Sequence, residues 1–282
     1  MNRVISILAA SILICTANSA QDIIPRPSPA ASVSQTVGYT AITITYCRPG
    51  VKDRQIWGDL VPYNTVWRTG ANEATTIQFT TDVIVEGHKV SAGKYSLFTI
   101  PDKESWTVIL NKVSNQWGSF RYNEKEDLLR FNVTPAKSEF TERMLFTFAE
   151  LDDSSSNVVM SWEYLQIAFK VKVNLAEQVY SKIKDAISAK PDEFQIYIVG
   201  AAYAAEHGVF MDEAFRWIDK ALSISNNFNG YLTKAKLYYR QSKYVDAIKE
   251  IEKCREAGRN DSDYQSRIAE IDLLEKRIKD KL

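Results

Sequence analysis

The sequence predicts two architectures in one chain: an antiparallel β-sandwich, jelly-roll or immunoglobulin-like, followed by a repeating array of paired α-helices. Three observations carry that expectation. Up to about Val173, apolar and polar residues alternate in short runs separated by turn signals, with no helical stretch between them. From Asn174 the apolar period becomes 3.6 and proline almost vanishes, Pro191 excepted. The helical part also repeats itself. Ala214, Ile218 and Ala221 recur as Ala247, Ile251 and Cys254, each 33 positions on, and Gly200 and Tyr203 recur as Ala235 and Tyr238, each 35 positions on.

Taken in order, Arg3, the apolar run Val4 to Ile14 and the small residues Ala17-Asn18-Ser19-Ala20 have the layout of a secretory signal peptide over residues 1–20. The run is too short to span a bilayer. A lipoprotein would need a small residue before Cys15, where Ile14 stands. The expectation is an exported chain, periplasmic or extracellular, without a membrane span and soluble after cleavage. Residues 21–31 hold Pro25, Pro27 and Pro29 and read as an extended leader.

Residues 32–173 form the predicted sandwich. Ile42, Ile44 and Tyr46 alternate with Thr43, Thr45 and Cys47, and Arg48-Pro49-Gly50 ends that strand. A long irregular connection runs from Val51 to about Thr65, of a length that is usually functional or mobile. Further strands are expected at Thr75–Thr80, Val83–Val85, Lys94–Ile100, Trp106–Asn111, Leu128–Val133, Phe140–Phe148, Val158–Trp162 and Leu165–Val173, with Glu86-Gly87-His88-Lys89 as a hairpin turn. Residues 174–282 form the helical part. Val179, Ile183, Ala186 and Ile187 make its first stripe, and Asp261 to Lys281 its closing helix, with Ile268, Ile271, Leu274 and Ile278 inward.

Several function classes are set aside by composition. Lysine plus arginine equals aspartate plus glutamate, 35 against 35, which leaves no electrostatic footprint for nucleic acid. Cys47 and Cys254 read as separate buried thiols. His88 and His207 stand far apart, so no metal site and no cofactor are expected. Gly87 to Lys94 resembles a phosphate loop only superficially: the spacing is wrong and Tyr95 stands where a magnesium-binding hydroxyl belongs.

Two resemblances follow from the motifs. The repeating small residue, tyrosine and Ala-x3-aliphatic-x2-small pattern resembles tetratricopeptide repeats, without their first-helix tryptophan or closing proline. That resemblance implies a groove for a protein or peptide partner. The N-terminal part carries Pro27-Ser28-Pro29, then Tyr46 to Lys52, Ile56-Trp57-Gly58 and Val66 to Ala74, and later Ala92 to Pro101 and Asn115-Gln116-Trp117-Gly118. These resemble the bacterial family called domain of unknown function 2911, over roughly Ile24 to Val173. The resemblance implies an exported β domain, often joined to helical repeats, and supplies no catalytic residue.

Val66-Trp67-Arg68-Thr69-Gly70-Ala71-Asn72-Glu73-Ala74 is the stretch densest in ligand-gripping groups. Two readings stand side by side. Arg68 and Glu73 pair and brace the Gly70 turn, or Arg68, Asn72 and Glu73, with Tyr95 and Trp117, form a surface for a carbohydrate or other small ligand. The expected function is a non-catalytic binding or interaction protein of the cell envelope. The alternative is a hydrolase of envelope polysaccharide or peptide, with Glu73 as acid or base and Glu86 or Asp59 converging on it.

Overall fold

The computed structural model describes residues 24–282. The expected signal peptide and the start of the leader lie outside the described residues. The chain divides into two compact units, the second beginning at Asn174.

Among the described residues the first unit has ten strands: β1 Ala30–Val37, β2 Thr40–Cys47, β3 Thr76–Phe79, β4 Val83–Val85, β5 His88–Val90, β6 Gly93–Ile100, β7 Trp106–Asn111, β8 Asp127–Val133, β9 Ala136–Ala149 and β10 Ser155–Lys172. They form two antiparallel sheets, in the orders β1-β2-β3-β6-β7-β8 and β5-β4-β10-β9. Alternation does what a two-sided layer requires. Ile42 and Ile44 of β2 are wholly buried and Thr45 between them and the strand end is exposed. The sheets meet through edge-to-face ring pairs, Tyr46 on Phe146 at 4.9 Å and Phe131 on Phe169 at 5.5 Å. The Tyr46 hydroxyl also accepts the Phe146 backbone N–H, at 3.1 Å.

Three details differ from the sequence expectation. Strand β1 begins at Ala30, so Ala30 and Ala31 belong to the sheet and not to the leader. The two strands expected at Val158–Trp162 and Leu165–Val173 are one, β10, whose register against β9 shifts on either side of Glu163. Glu163 has a φ of 57°, a bulge that bends the strand without ending it. The expected turn tetrapeptide tightens to Glu86–Gly87, at φ 45° and 84°, with His88 already paired to Val85.

Between β2 and β3 no long strand forms, yet the chain is not loose there. Ile56 and Val61 are buried, and Trp57 joins Trp67, Trp106 and Trp162 in one cluster with ring centroids 4.9 to 6.3 Å apart. Trp106 and Trp162 are almost fully enclosed. This indole cluster fills one end of the sandwich and forms the floor on which the Val66–Ala74 stretch sits.

The second unit has six helices: α1 Leu175–Ala189, α2 Phe194–His207, α3 Met211–Ile224, α4 Phe228–Arg240, α5 Tyr244–Gly258 and α6 Tyr264–Lys279. Asn174 caps α1 by accepting the Glu177 N–H, and Gly208 ends α2 at φ 71°. Neighbouring helices pack α2 on α3 and α4 on α5. The small and aliphatic positions singled out by spacing, Ala214, Ile218, Ala221, Ala247, Ile251 and Cys254, are all buried. Cys47 and Cys254 are both buried and free.

Candidate functional site

The Val66–Ala74 stretch is a loop closed on itself. Trp67 exchanges backbone hydrogen bonds with Thr99 of β6, at 2.7 and 2.9 Å, and the Thr75 N–H returns to the Arg68 carbonyl at 3.1 Å. The Trp67 indole N–H donates to the Gly70 carbonyl and the Thr75 hydroxyl to the Thr69 carbonyl. Thr69, Gly70 and Asn72 all have positive φ, 52°, 157° and 56°. For a buried β-branched residue such as Thr69 that conformation costs on the order of 1–3 kcal/mol. Such left-handed steps turn the chain so sharply that neighbours in sequence face different sides.

The leader lies across this loop. Its prolines offer no N–H, but its carbonyls accept: Pro29 from the Arg48 N–H at 2.9 Å, Ser28 from the Asn72 side-chain amide at 3.1 Å, and Pro27 from Arg143 at 3.3 Å. Two hollows lie beside it. Arg26 and Ala30 line one and Ser28 the other.

The first hollow, ≈ 260 Å³, holds charges of both signs. Arg26 pairs with Glu73 at 2.8 Å, and Lys94, Thr45, Thr76 and Gln116 share the lining. The buried Cys47 thiol donates to Glu73 at 3.5 Å, and burial lifts that thiol above its ordinary value. Burial alone would raise the Glu73 carboxyl. Hydrogen bonds from Arg26, its own backbone and Cys47 outweigh this and leave it below the ordinary glutamate range.

That shift gives a prediction. Because the folded value lies below the free one, the ionised carboxylate favours the docked leader. The stabilisation is present above the free glutamate range of about 4.3 and is lost as pH falls through the lowered value. In Arg26→Gln, NMR titration of the Glu73 carboxyl is expected to show its midpoint move up toward the free value. An unchanged midpoint would remove Arg26 as the cause.

The second hollow, ≈ 300 Å³, is lined by Arg54, Arg68, Asn72, Trp67 and Trp162 with Leu60, Val61 and Ser28 among their neighbours. No carboxylate lines it. Arg68 Nε is buried without a hydrogen-bond partner, and burial pulls the guanidinium below its ordinary value with only Cys47 acting against it. Arg54 is pinned by its Nε to the Val51 carbonyl at 3.0 Å and by one Nη to the Gly50 carbonyl at 2.6 Å.

The sequence-predicted residues therefore separate. Arg68 and Asn72 share the second hollow, while Glu73 lines the first. The expected Arg68–Glu73 brace is corrected: the partner of Glu73 is Arg26, 47 positions away. Tyr95 belongs to neither hollow. It is buried on the face of β6 shared with Leu97, 6.3 Å from Phe79, and its hydroxyl donates to the Ser91 carbonyl. Trp117 is bridged to Glu73 through the backbone, but the residue is 53% exposed and lines neither hollow. Asp59 and Glu86 are absent from the lining of the Glu73 hollow, and Glu86 accepts the Lys170 N–H instead. Arg26, Arg54 and Ser28 were not legible as site residues. Among the described residues no group of His, Cys, Asp or Glu is placed to hold a metal ion, and no helix is long and apolar enough to cross a membrane.

No curated protein matches the chain. Residues 28–171, which include both arginines of the second hollow and every strand from β1 to β9, match the family described as protein of unknown function (DUF2911). With that match over half its length, the chain belongs to the DUF2911 family.

Proposed function

We propose that this chain is an exported, non-catalytic binding protein of the cell envelope. Its β unit takes a small ligand in the hollow of Arg68 and Asn72, and its helical unit offers a groove to a protein or peptide. One observation carries the first part: a half-buried guanidinium, Arg68, faces a hollow with its Nε unpartnered. Buried cations without partners are costly, and folds keep them where an incoming group supplies the acceptor. The signal-peptide layout of residues 1–20 supports export. A hollow of ≈ 460 Å³ lined from α2, α4 and α6 by Ala205, Lys236, Tyr239, Arg240 and Leu273 supports the second groove. The hydrolase alternative has less behind it. Glu73 is held in its charged form by Arg26, and no second carboxylate lines its hollow.

The test is a thermal-shift screen of the full chain against neutral sugars, amino acids, carboxylates and phosphates, with Arg68→Met alongside. A compound that raises the melting temperature of the wild type and not of the variant supports the reading. A library in which nothing distinguishes the two proteins overturns it.

A further inference from the structure

We infer that the Arg68 hollow is an oxyanion site, taking the carboxylate or phosphate group of a small molecule whose apolar body lies against Trp67 and Trp162. The inference rests on the reading of that hollow as a ligand site and names the chemistry it selects.

Both ionisable side chains in the lining, Arg54 and Arg68, are guanidinium groups, and no carboxylate answers them. A guanidinium carries donors only, so the chemistry missing at Arg68 Nε is an acceptor, and the charge missing beside it is negative. A planar fork of N–H groups matches a carboxylate or phosphate better than any single carbonyl or hydroxyl. Arg54 reinforces the same preference. Two backbone carbonyls fix its side chain, so its charge is held at the hollow without being neutralised.

The neighbouring hollow makes the contrast. There Arg26 and Glu73 cancel, and Cys47 donates to the same carboxylate. The two hollows flank one leader, yet only the second has cations with no carboxylate in its lining. Its amide is already engaged, because the Asn72 side chain donates to Ser28, so Arg68 is the free fork. Apart from Ser28, the rest of the lining is apolar, with Pro49, Leu60, Val61, Trp67 and Trp162 its larger side chains. Its ≈ 300 Å³ lies at the small end of ligand cavities, which run to about 300–1,000 Å³. That combination fits one charged head on a compact apolar or aromatic body.

The experiment uses the full chain and a matched set of probes: inorganic phosphate, benzoate, benzamide and benzylammonium, at constant ionic strength set with chloride. The readout is the indole N–H NMR signals of Trp67 and Trp162, which line the hollow. Benzoate, phosphate or both are expected to shift these signals saturably, and benzamide and benzylammonium are not. A response to benzoate alone assigns a carboxylate ligand, and a response to phosphate alone a phosphoryl ligand. Arg68→Met is expected to weaken binding by about tenfold or more. It should leave the melting temperature unchanged or raise it, since it removes an unpaired charge. Arg68→Lys, which keeps the charge without the fork, is expected to bind more weakly than wild type and more tightly than Arg68→Met. Lys94→Met, in the other hollow, is expected to bind as wild type does. Benzamide binding as tightly as benzoate would overturn the oxyanion assignment and leave the ligand-site reading standing. A lack of saturable response to either anion, or a clear loss of melting temperature in Arg68→Met, would overturn the inference.

Discussion

Trp106→Ala is expected to cost the β unit about 3–5 kcal/mol, a fall of about 6–20 °C in its melting temperature. Trp106 opens β7 with no exposed surface, and its ring meets Trp57 edge-on at 4.9 Å and Trp67 at 6.3 Å. Its indole N–H has no hydrogen-bond partner, so the substitution breaks no hydrogen bond. The loss is therefore one of packing and of the cavity left beside Trp57 and Trp67. Trp106→Phe should recover most of it, because a second aromatic ring refills much of the space. The measurement is denaturant unfolding followed by tryptophan emission. A cost within about 0.5 kcal/mol, typical of surface positions, would mean that the cluster does not hold that end of the sandwich.

Phe228→Ala is expected to be as damaging in the helical unit, at about 3–5 kcal/mol. Phe228 is the first residue of α4 and almost wholly buried, with its ring edge-on to Tyr264 at 5.3 Å. Tyr264 in turn presses on Gly258, where an added Cβ would lie 2.0 Å from its ring. Removing the phenyl group frees Tyr264 on one side while Gly258 still confines it on the other. The helical signal at 222 nm, followed through a thermal scan, reports the loss. An unchanged midpoint would show that α4 and α6 hold together without this pair.

Much of the architecture was legible because periodicity reports burial directly. The strand Trp106–Asn111 was readable to the residue, since its apolar run is bounded by polar turns on both sides. Strand β10 was not readable as one element. Glu163 and Tyr164 interrupt its pattern, and only a bulge at Glu163 lets the strand continue. The site was partly legible for a similar reason. Arg68 and Glu73 are close in sequence, and closeness invites pairing, but positive φ at Thr69, Gly70 and Asn72 sends them to separate hollows. Tyr95 was readable as core from its alternation with Lys94 and Ser96, and the density of its motif hid that signal. The role of Arg26 had no local signal at all. A proline-rich segment looks structureless because it cannot donate, whereas this one is held by what it accepts.

The docked leader has a consequence for how this protein is handled. Its carbonyls and Arg26 wall the same loop that presents Arg68, so the residues just ahead of β1 help to shape both hollows. Trimming by an aminopeptidase as far as Ser28 would erase the Arg26 salt link and loosen the Asn72 amide, reshaping the hollows while the ten strands remain. Preparations that differ by a few residues ahead of Ser28 would thus differ in the lining of both hollows, and a single band on a gel would not tell them apart.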